Sequence, residues 1–430
     1  MWMASAGVKL EMVKTRVSLS GGVFLSDSIK SAKGAARTAK GGRNCFAPRS
    51  VLRGFLKRMN PLAIGLGMVA ALTLVIHGQP TAAAKIQLTN RKVLAQNAGR
   101  VAWSPADGRI AYDKIVKNGL DSYYQIWTMK PDGSDDTCLT CRMTALPALH
   151  KGNPVWSPDG KFIVFQAQDP PSHGWARDFQ NFPGSGWNND LWATDTHGKF
   201  WQLTNVGGDR GGVIYPTFSW DGTKLAWGQR LSPYPNFGSW ELAVGTFTAS
   251  ANGIPSITNI KYYTPGANHF YYEPHSFSRD DQTLFFMGNL QPGEARLGMD
   301  IYALNLVTGT LKNLTNTLDQ WNEFPETMPT GNKLVYMSTT DTGWGPHHFE
   351  CDLWSMNYDG SDKRRLTFYN DPKSPDYVPE GICLCDPRWN SDGSQLVVYD
   401  NQIAVYDAGR SLHGRGPGGL WLFNVGPAKQ

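Results

Sequence analysis

A short turn signature recurs along this chain and constrains its fold more than any other feature. Each copy has an aromatic residue, then in most cases a Ser or Asn and an Asp-Gly pair, before an apolar run. The copies are Trp103–Gly108, Trp156–Gly160, Phe218–Gly222, Phe277–Asp281 and Trp389–Gly393, with a degraded sixth at Thr327–Gly331. Because Asp and Gly favour tight turns, each copy predicts a β-hairpin.

Two further strands follow each hairpin. The third has an apolar or aromatic centre and begins near Gln125, Asp190, Trp240, Asp300, Asp352 and Gly419. The fourth ends on a Leu-Thr or Tyr-Thr pair, at Thr140, Thr204, Thr264, Thr315 and Thr367. Four short strands form a sheet that is too small to fold alone, so the units must pack around a common axis. The sequence therefore predicts an all-β fold, a six-bladed β-propeller.

The last unit lacks its own fourth strand, because the chain ends soon after Trp421. A segment before the first hairpin, Ile86–Asn90, has the same Leu-Thr-Asn ending as two of the fourth strands. We predict that this N-terminal strand completes the sixth blade, which leaves no open sheet edge at the seam.

These repeats resemble the TolB-like, or WD40-like, propeller repeat, which also occurs in the propeller domains of dipeptidyl-peptidase and tricorn-type proteases. The resemblance covers residues 86–430 and implies the fold, but a fold alone does not imply a function. We expect no N-terminal α/β domain like that of TolB, because the predicted export segment leaves no room for one before Ile86. We expect no peptidase domain, since the sequence contains no Gly-x-Ser-x-Gly pentapeptide.

The N-terminal region differs in composition from the rest. Residues 1–61 hold 12 basic and 2 acidic residues, and we expect a disordered or over-extended leader there. Residues 62–84 combine an uncharged apolar run with a small-x-small end, which predicts a signal peptide. The propeller would then occupy residues 85–430. Export to the periplasm or secretion follows, with signal anchoring to the inner membrane as the alternative.

The charge of the predicted mature part bears on its partners. Without residues 1–61 the chain has 29 basic and 34 acidic residues, so the formal charge of +5 belongs to the leader. An acidic propeller offers no basic groove, and we expect no nucleic-acid partner. The apolar run of the leader is short for a bilayer, so we expect no permanent membrane span. We expect a monomer.

Five cysteines remain after the leader, and in an exported protein they are disulfide candidates. Cys138 and Cys141 would be too far apart on a straight strand, and they can pair only if the chain turns at Cys141. Cys351 opens a third strand on the face where a long loop carries Cys383 and Cys385. We predict a bridge from Cys351 to one of these two. Metal or redox chemistry is the alternative.

Binding sites in propellers concentrate on the face that gathers the loops between strands two and three and between consecutive blades. Two predicted loops of this face are long, residues 167–189 and 338–350, and long loops are commonly functional. Our candidate ligand-binding residues there are Glu273, His275, Glu323, Trp344, His347, His348 and Asp386.

Several of these side chains have the chemistry of metal or sugar ligands. His275, His347 and His348 would suit a divalent metal, but no HxH or HExxH spacing supports one, so the favoured interpretation is that they satisfy backbone groups. We expect no other cofactor. Four tryptophans expected in exposed loops would suit stacking on a sugar ring, or would form local loop cores: Trp175, Trp187, Trp321 and Trp344.

Two hypotheses about function follow. The first is a non-catalytic binding module that contacts a protein or a glycan through its loops. The second is a metal-assisted carbohydrate lyase or hydrolase, because His275–Ser278 resembles the strand starts of oligogalacturonate lyases. The first is favoured, since no nucleophile and base can be assigned by motif, and we assign no catalytic residue.

Overall fold

A computed structural model describes residues 86–118, 121–144, 149–169, 183–208, 211–231, 240–267, 271–294, 298–342, 350–401, 405–407, 410–413 and 418–427. Over these ranges the protein is all-β, with six four-stranded antiparallel sheets and one two-stranded hairpin. No helix in them is long and apolar enough to cross a bilayer. The predicted leader and signal peptide lie outside the described residues.

The six sheets follow one another along the chain. Blade one consists of β2 (Ala98–Trp103), β3 (Ile110–Asn118), β4 (Asp121–Met129) and β5 (Thr137–Cys138). Blade two consists of β6 (Lys151–Trp156), β7 (Ile163–Gln168), β8 (Asn189–Thr194) and β9 (Phe200–Gln202). Blade three consists of β10 (Gly212–Phe218), β11 (Lys224–Arg230), β12 (Trp240–Ala249) and β13 (Pro255–Tyr263).

The other three blades repeat this order. Blade four consists of β14 (Tyr272–Phe277), β15 (Thr283–Gly288), β16 (Asp300–Asn305) and β17 (Leu311–Asn313). Blade five consists of β18 (Asn322–Thr327), β19 (Lys333–Ser338), β20 (Asp352–Asn357) and β21 (Arg364–Arg365). Blade six consists of β22 (Cys383–Trp389), β23 (Gln395–Asn401), β26 (Gly419–Pro427) and β1 (Ile86–Gln96). The small hairpin is β24 (Val405–Asp407) and β25 (Arg410–His413).

The ring closes as the sequence predicted. β1 pairs antiparallel with β26, from Ile86 opposite Pro427 to Gln96 opposite Gly419, and so forms the outer strand of blade six. The first strands of neighbouring blades contact one another all around the ring, including β22 with β2 across the seam. These six strands therefore line the propeller axis.

Side chains of the turn signature hold each hairpin. In blade three the Ser219 hydroxyl accepts a hydrogen bond from Lys224 N at 2.9 Å and donates one to Asp221 at 2.7 Å. Ser157 and Ser278 make the same pair of bonds in blades two and four. The repeated Ser and Asp are therefore architectural, since they satisfy backbone groups that the turn leaves unpaired.

The Leu-Thr pair has a comparable role, although it follows the fourth strand instead of ending it. In blade five the Thr367 hydroxyl accepts from Leu353 N at 2.9 Å and donates to Asp352 at 2.6 Å. Thr204 and Asp190 repeat this arrangement in blade two, and Thr315 and Asp300 repeat it in blade four. The Asp that opens the third strand is thus a buried acceptor that links strands three and four.

The aromatic residue of the turn signature lies in the core. Trp156 is 5% exposed and packs with residues of blades one and two, such as Ala111 and Phe165. Trp389 is 6% exposed and packs with Leu353 of blade five and Leu396 of blade six. Both tryptophans are buried between sheets, as the sequence predicted.

Candidate functional site

Two glutamates and a histidine meet beside the propeller axis. Glu273 and His275 belong to β14, and Glu323 belongs to β18, the first strand of the next blade. One potential ligand atom from each of the three lies within 4.8 Å of the others. All three side chains are buried. We call these residues the axial cluster.

Strand register explains why the two glutamates are neighbours. Glu273 is opposite Met287 on β15, and Glu323 is opposite Met337 on β19, so the two occupy equivalent places in adjacent blades. An aromatic hydrogen-bond donor precedes each glutamate by two residues. Residues two apart on a strand share a face, so each donor can reach its glutamate.

These aromatic donors hold one oxygen of each carboxyl group. The Tyr271 hydroxyl donates to Glu273 Oε2 at 2.7 Å, and Trp321 Nε1 donates to Glu323 Oε2 at 2.7 Å. The other oxygen of each carboxyl group has no hydrogen-bond donor among the described residues, and the two carboxyl groups lie close enough to share a proton. The geometry therefore fixes each carboxyl group and leaves one of its oxygens available.

The histidine is also unsatisfied. Within the described part of the chain, neither Nδ1 nor Nε2 of His275 has a hydrogen-bond partner, and Nε2 lies 3.6 Å from Glu273 Oε1. Buried polar groups in folded proteins are almost always hydrogen-bonded, and leaving one unpaired costs about 1–3 kcal/mol. Four unpaired atoms thus lie together in one buried cluster.

Burial determines the protonation of the cluster. It raises the pKa of Glu273 well above its usual range, and the neighbouring charge of Glu323 raises it further. Burial also raises the pKa of Glu323. The pKa of His275 is well below its usual value because of burial and of the nearby Arg388 guanidinium. Burial therefore disfavours the charged forms of the two carboxyl groups and of the imidazole.

Strained backbone positions bring aromatic rings against this histidine. Tyr215 and Phe324 lie at bulges of β10 and β18 and adopt φ of 48° and 57°. Such angles are costly for side chains with a Cβ and often occur at functional sites. The His275 ring centroid lies 5.1 Å from that of Tyr215 and 5.0 Å from that of Phe324. The imidazole is therefore held in place by apolar contacts.

Of the predicted site residues, the structure brings together Glu273, His275 and Glu323. They lie within the first strands and not before them, because each strand starts earlier than the turn signature suggests. Asp386 is also in a first strand, β22, but its carboxylate accepts from Val101 N at 2.9 Å and pairs with Arg388 at 3.0 Å. Asp386 therefore connects blades six and one across the seam.

The remaining predicted site residues either lie outside the described residues or are buried instead of exposed. Trp344, His347, His348 and Trp175 lie outside the described residues. The expectation of exposed loop tryptophans is wrong for two others, since Trp187 is 4% exposed and Trp321 is 1% exposed. Trp187 lies under the Arg230 guanidinium, 3.6 Å from the ring centroid, and Trp321 binds the axial cluster.

The cysteines divide into two groups. Cys138 and Cys141 form a disulfide, because the chain turns directly after β5. Cys351 meets Cys383 in a parallel bridge between blades five and six, as expected of these segments, but Cys351, Cys383 and Cys385 are buried free thiols. The predicted Cys351 disulfide is therefore not formed in the structure. Burial raises the pKa of all three thiols.

Sequence reasoning missed the residues that support the cluster. Tyr271 and Trp321 each precede a glutamate by two residues, and this aromatic-x-Glu spacing in consecutive units was the available signal. Tyr215 gave no signal, because a positive φ at a tyrosine cannot be inferred from its neighbours in the sequence.

Comparison with known proteins shows no family for this chain. No protein-family model matches the sequence, and no curated protein does. TolB from Acinetobacter baumannii is similar at 17% identity over 68% of this chain and 57% of that chain, with a TM-score of 0.44. The propeller domain of the trilobed protease from Pyrococcus furiosus is similar at 10% identity over 80% of this chain and 97% of that one, with a TM-score of 0.39.

A third similar structure is an oligogalacturonate lyase in complex with manganese, at 13% identity over 80% of this chain and 99% of that one, with a TM-score of 0.41. Likenesses at these identities concern the fold alone. The six-bladed β-propeller is shown by the strand pairing and by the contacts between neighbouring blades.

Proposed function

We propose that this protein is an exported ligand-binding propeller whose axial cluster binds a divalent transition-metal ion. The observation that carries the proposal is the set of unpaired atoms in a buried place: one carboxyl oxygen from each of two glutamates and both nitrogens of His275. A cation bound there would satisfy three of these atoms at once.

The donor set fits such an ion. Carboxylate oxygens suit Mn²⁺ and neutral imidazole suits Zn²⁺, so the mixed set favours Zn²⁺ or Mn²⁺ over Ca²⁺. Tyr271 and Trp321 would orient the carboxylates, as residues behind metal ligands commonly do. A bound ion would supply positive charge to polarise or anchor an anionic group of a ligand.

Metal binding to the purified propeller tests this proposal. Protein stripped with a chelator should bind one equivalent of Zn²⁺ or Mn²⁺ in calorimetry, and Glu273→Gln, Glu323→Gln and His275→Gln should each abolish binding. His150→Gln is the matched control, because His150 is also a buried histidine of the inner region, 7% exposed, and lies outside the cluster. Equal binding by wild type and His275→Gln would refute the assignment.

Export is part of the same proposal. Its support is the apolar run with basic flank at residues 62–84 and the Cys138–Cys141 disulfide, since disulfides persist in oxidising compartments. Fractionation of cells that express the full chain should recover the protein from the periplasm or the medium. Signal anchoring predicts recovery from the membrane fraction instead.

The loops of the same face would contact the partner, a protein or a glycan. Trp344, His347 and His348 belong to one of these loops in the sequence. Substitution of Trp344 by Ala should weaken binding to such a partner and leave the metal stoichiometry unchanged, which separates the loops from the axial cluster.

One observation favours the enzyme alternative, a metal-assisted lyase or hydrolase of carbohydrates. A buried carboxyl group whose pKa is raised lies 3.6 Å from an imidazole whose pKa is lowered, so a proton donor and an uncharged proton acceptor are neighbours, as general acid–base chemistry requires. Incubation with oligogalacturonate and Mn²⁺ tests it. Unsaturated products that disappear with Glu273→Gln would favour the enzyme, and unchanged substrate would favour the binding module.

A further inference from the structure

A cluster of sulfur atoms lies in the blade next to the axial cluster. Cys383 and Cys385 are the first and third residues of β22, and their Sγ atoms are 3.2 Å apart. Met337 on β19 of blade five brings its Sδ atom to 3.8 Å from Cys383 Sγ. The three side chains are at most 2% exposed.

Register shows that these thiols replace the polar groups of the preceding blades. Cys385 is opposite Tyr399, at the place where Glu273 is opposite Met287 in blade four and Glu323 is opposite Met337 in blade five. Cys383, two residues earlier, takes the place of the aromatic donor. Blade six thus has two thiols where blades four and five have a hydrogen-bond donor and a carboxyl group.

The spacing on the strand argues against a disulfide between the two. Residues two apart on an extended strand have Cα atoms about 6.6 Å apart, at the far limit for a disulfide. Two sulfur atoms 3.2 Å apart with a thioether nearby instead resemble a set of metal ligands. The sulfur atoms would have to move apart only slightly to bind a cation. Thiolate and thioether ligands select soft cations over the hard ones that carboxylates prefer.

We propose that Cys383 and Cys385, assisted by Met337, bind a soft monovalent cation, Cu(I) or Ag(I). On binding, each thiol releases its proton to solvent and its sulfur forms a bond to the cation. No electron is transferred, so no oxidant or reductant is required. This site is distinct from the axial cluster, and it stands whether or not that cluster binds a divalent ion.

Silver titration tests the site, because Ag(I) has the same ligand preference and does not change its oxidation state. Folded protein with three free thiols and an intact Cys138–Cys141 disulfide should bind one Ag(I) in native mass spectrometry. Cys383→Ser or Cys385→Ser should weaken binding by more than about 100-fold, since even residues behind metal ligands contribute 10–100-fold. Met337→Leu should have a smaller effect in the same direction.

Cys351→Ser is the most stringent comparison, since Cys351 is an equally buried thiol whose side chain interacts with that of Cys383 but is not among the three proposed ligands. It should keep the full stoichiometry. A measurement on the wild type avoids any folding defect of the variants: bound Ag(I) should protect Cys383 and Cys385, and not Cys351, from alkylation during partial denaturation.

Three results would overturn the site. They are undiminished Ag(I) binding in both Cys383→Ser and Cys385→Ser, loss of binding in Cys351→Ser alone, and a Cys383–Cys385 disulfide in protein isolated without reductant.

Discussion

The two ends of the innermost strands serve different purposes. At the turn end, Ser157, Ser219 and Ser278 make the same two hydrogen bonds in three blades, and every polar group named there has a partner. Glu273, His275 and Glu323 lie toward the opposite end of these strands, which we call the axial end. They have buried atoms without a partner among the described residues. The repeat therefore maintains the scaffold at one end and departs from its pattern at the other.

This contrast indicates where function would arise in such a fold. A polar group that is buried and satisfied stabilises the blade, whereas one that is buried and unsatisfied costs stability unless a ligand supplies the missing partner. Positive φ at Tyr215 and Phe324 adds backbone strain at the axial end. Substitutions at the two ends should then change the free energy of unfolding in opposite directions.

The largest loss is expected from the aromatic residue of the turn signature. Trp156→Ala should lower the free energy of unfolding by about 3–5 kcal/mol, because it empties a large buried site between blades one and two. Urea unfolding followed by circular dichroism measures this. Val307→Ala, at a side chain that is 74% exposed, should change it by less than about 0.5 kcal/mol. Equal effects of the two substitutions would contradict the packing described.

A comparable loss of stability is expected when the buried aspartate that opens the third strand is substituted. The Asp352 carboxylate accepts from Thr367 at 2.6 Å and pairs with Arg365 at 2.6 Å. Asp352→Ala leaves that guanidinium uncompensated and should cost about 3–5 kcal/mol in urea unfolding. Asp359→Ala, at an exposed turn of the same blade, should cost less than about 1 kcal/mol. A small effect at Asp352 would mean that the Leu-Thr signature is not architectural.

At the axial end, a substitution is expected to raise the free energy of unfolding instead of lowering it. Because the pKa of Glu273 is raised in the folded protein, the folded state retains a proton that the unfolded state loses above about pH 4.3. Stability in the presence of a chelator should therefore fall as pH rises above that value. Glu273→Gln removes this dependence. The free energy of unfolding of the variant should therefore rise relative to that of the wild type by up to about 1.4 kcal/mol for each pH unit.

Urea unfolding at pH 5, 6 and 7 with a chelator measures this difference. Other buried acids contribute to the slope in both proteins, including Asp113 and Glu326, whose pKa values rise to about 6 and about 7 through burial. Only the difference between wild type and variant reports on Glu273. An exposed glutamate, Glu380→Gln, should leave the slope unchanged. Parallel slopes for wild type and Glu273→Gln would show that the axial carboxyl groups are not destabilising.

The two ends also differ in how far sequence could predict them. The turn signature predicted the blades, the buried Trp156 and Trp389 and the closing strand, because Ser, Asp, Gly and Thr act there through local backbone hydrogen bonds. At the axis, Glu273 and Glu323 are fifty residues apart and become neighbours only through strand register. A bulge recurs in the first strand of every blade, but the contacts of His275 with Tyr215 and Phe324 join three blades, and a single unit does not encode them.

The smallest effect expected is at the turn itself, where blade five offers a natural comparison. Met328 takes the place of Ser219 there and keeps the backbone bond to Lys333 at 3.0 Å without a side-chain hydroxyl. Ser219→Ala should therefore preserve the hairpin and cost about 1 kcal/mol, the net value of a typical hydrogen bond. Thr330→Ala, at an exposed position of the blade-five turn, should have no measurable effect. Urea unfolding of both variants decides this. A loss above about 3 kcal/mol for Ser219→Ala would mean that the turn hydroxyl does more than satisfy Lys224 N, and the contrast between the satisfied turn hydroxyls and the unsatisfied axial cluster would then not hold.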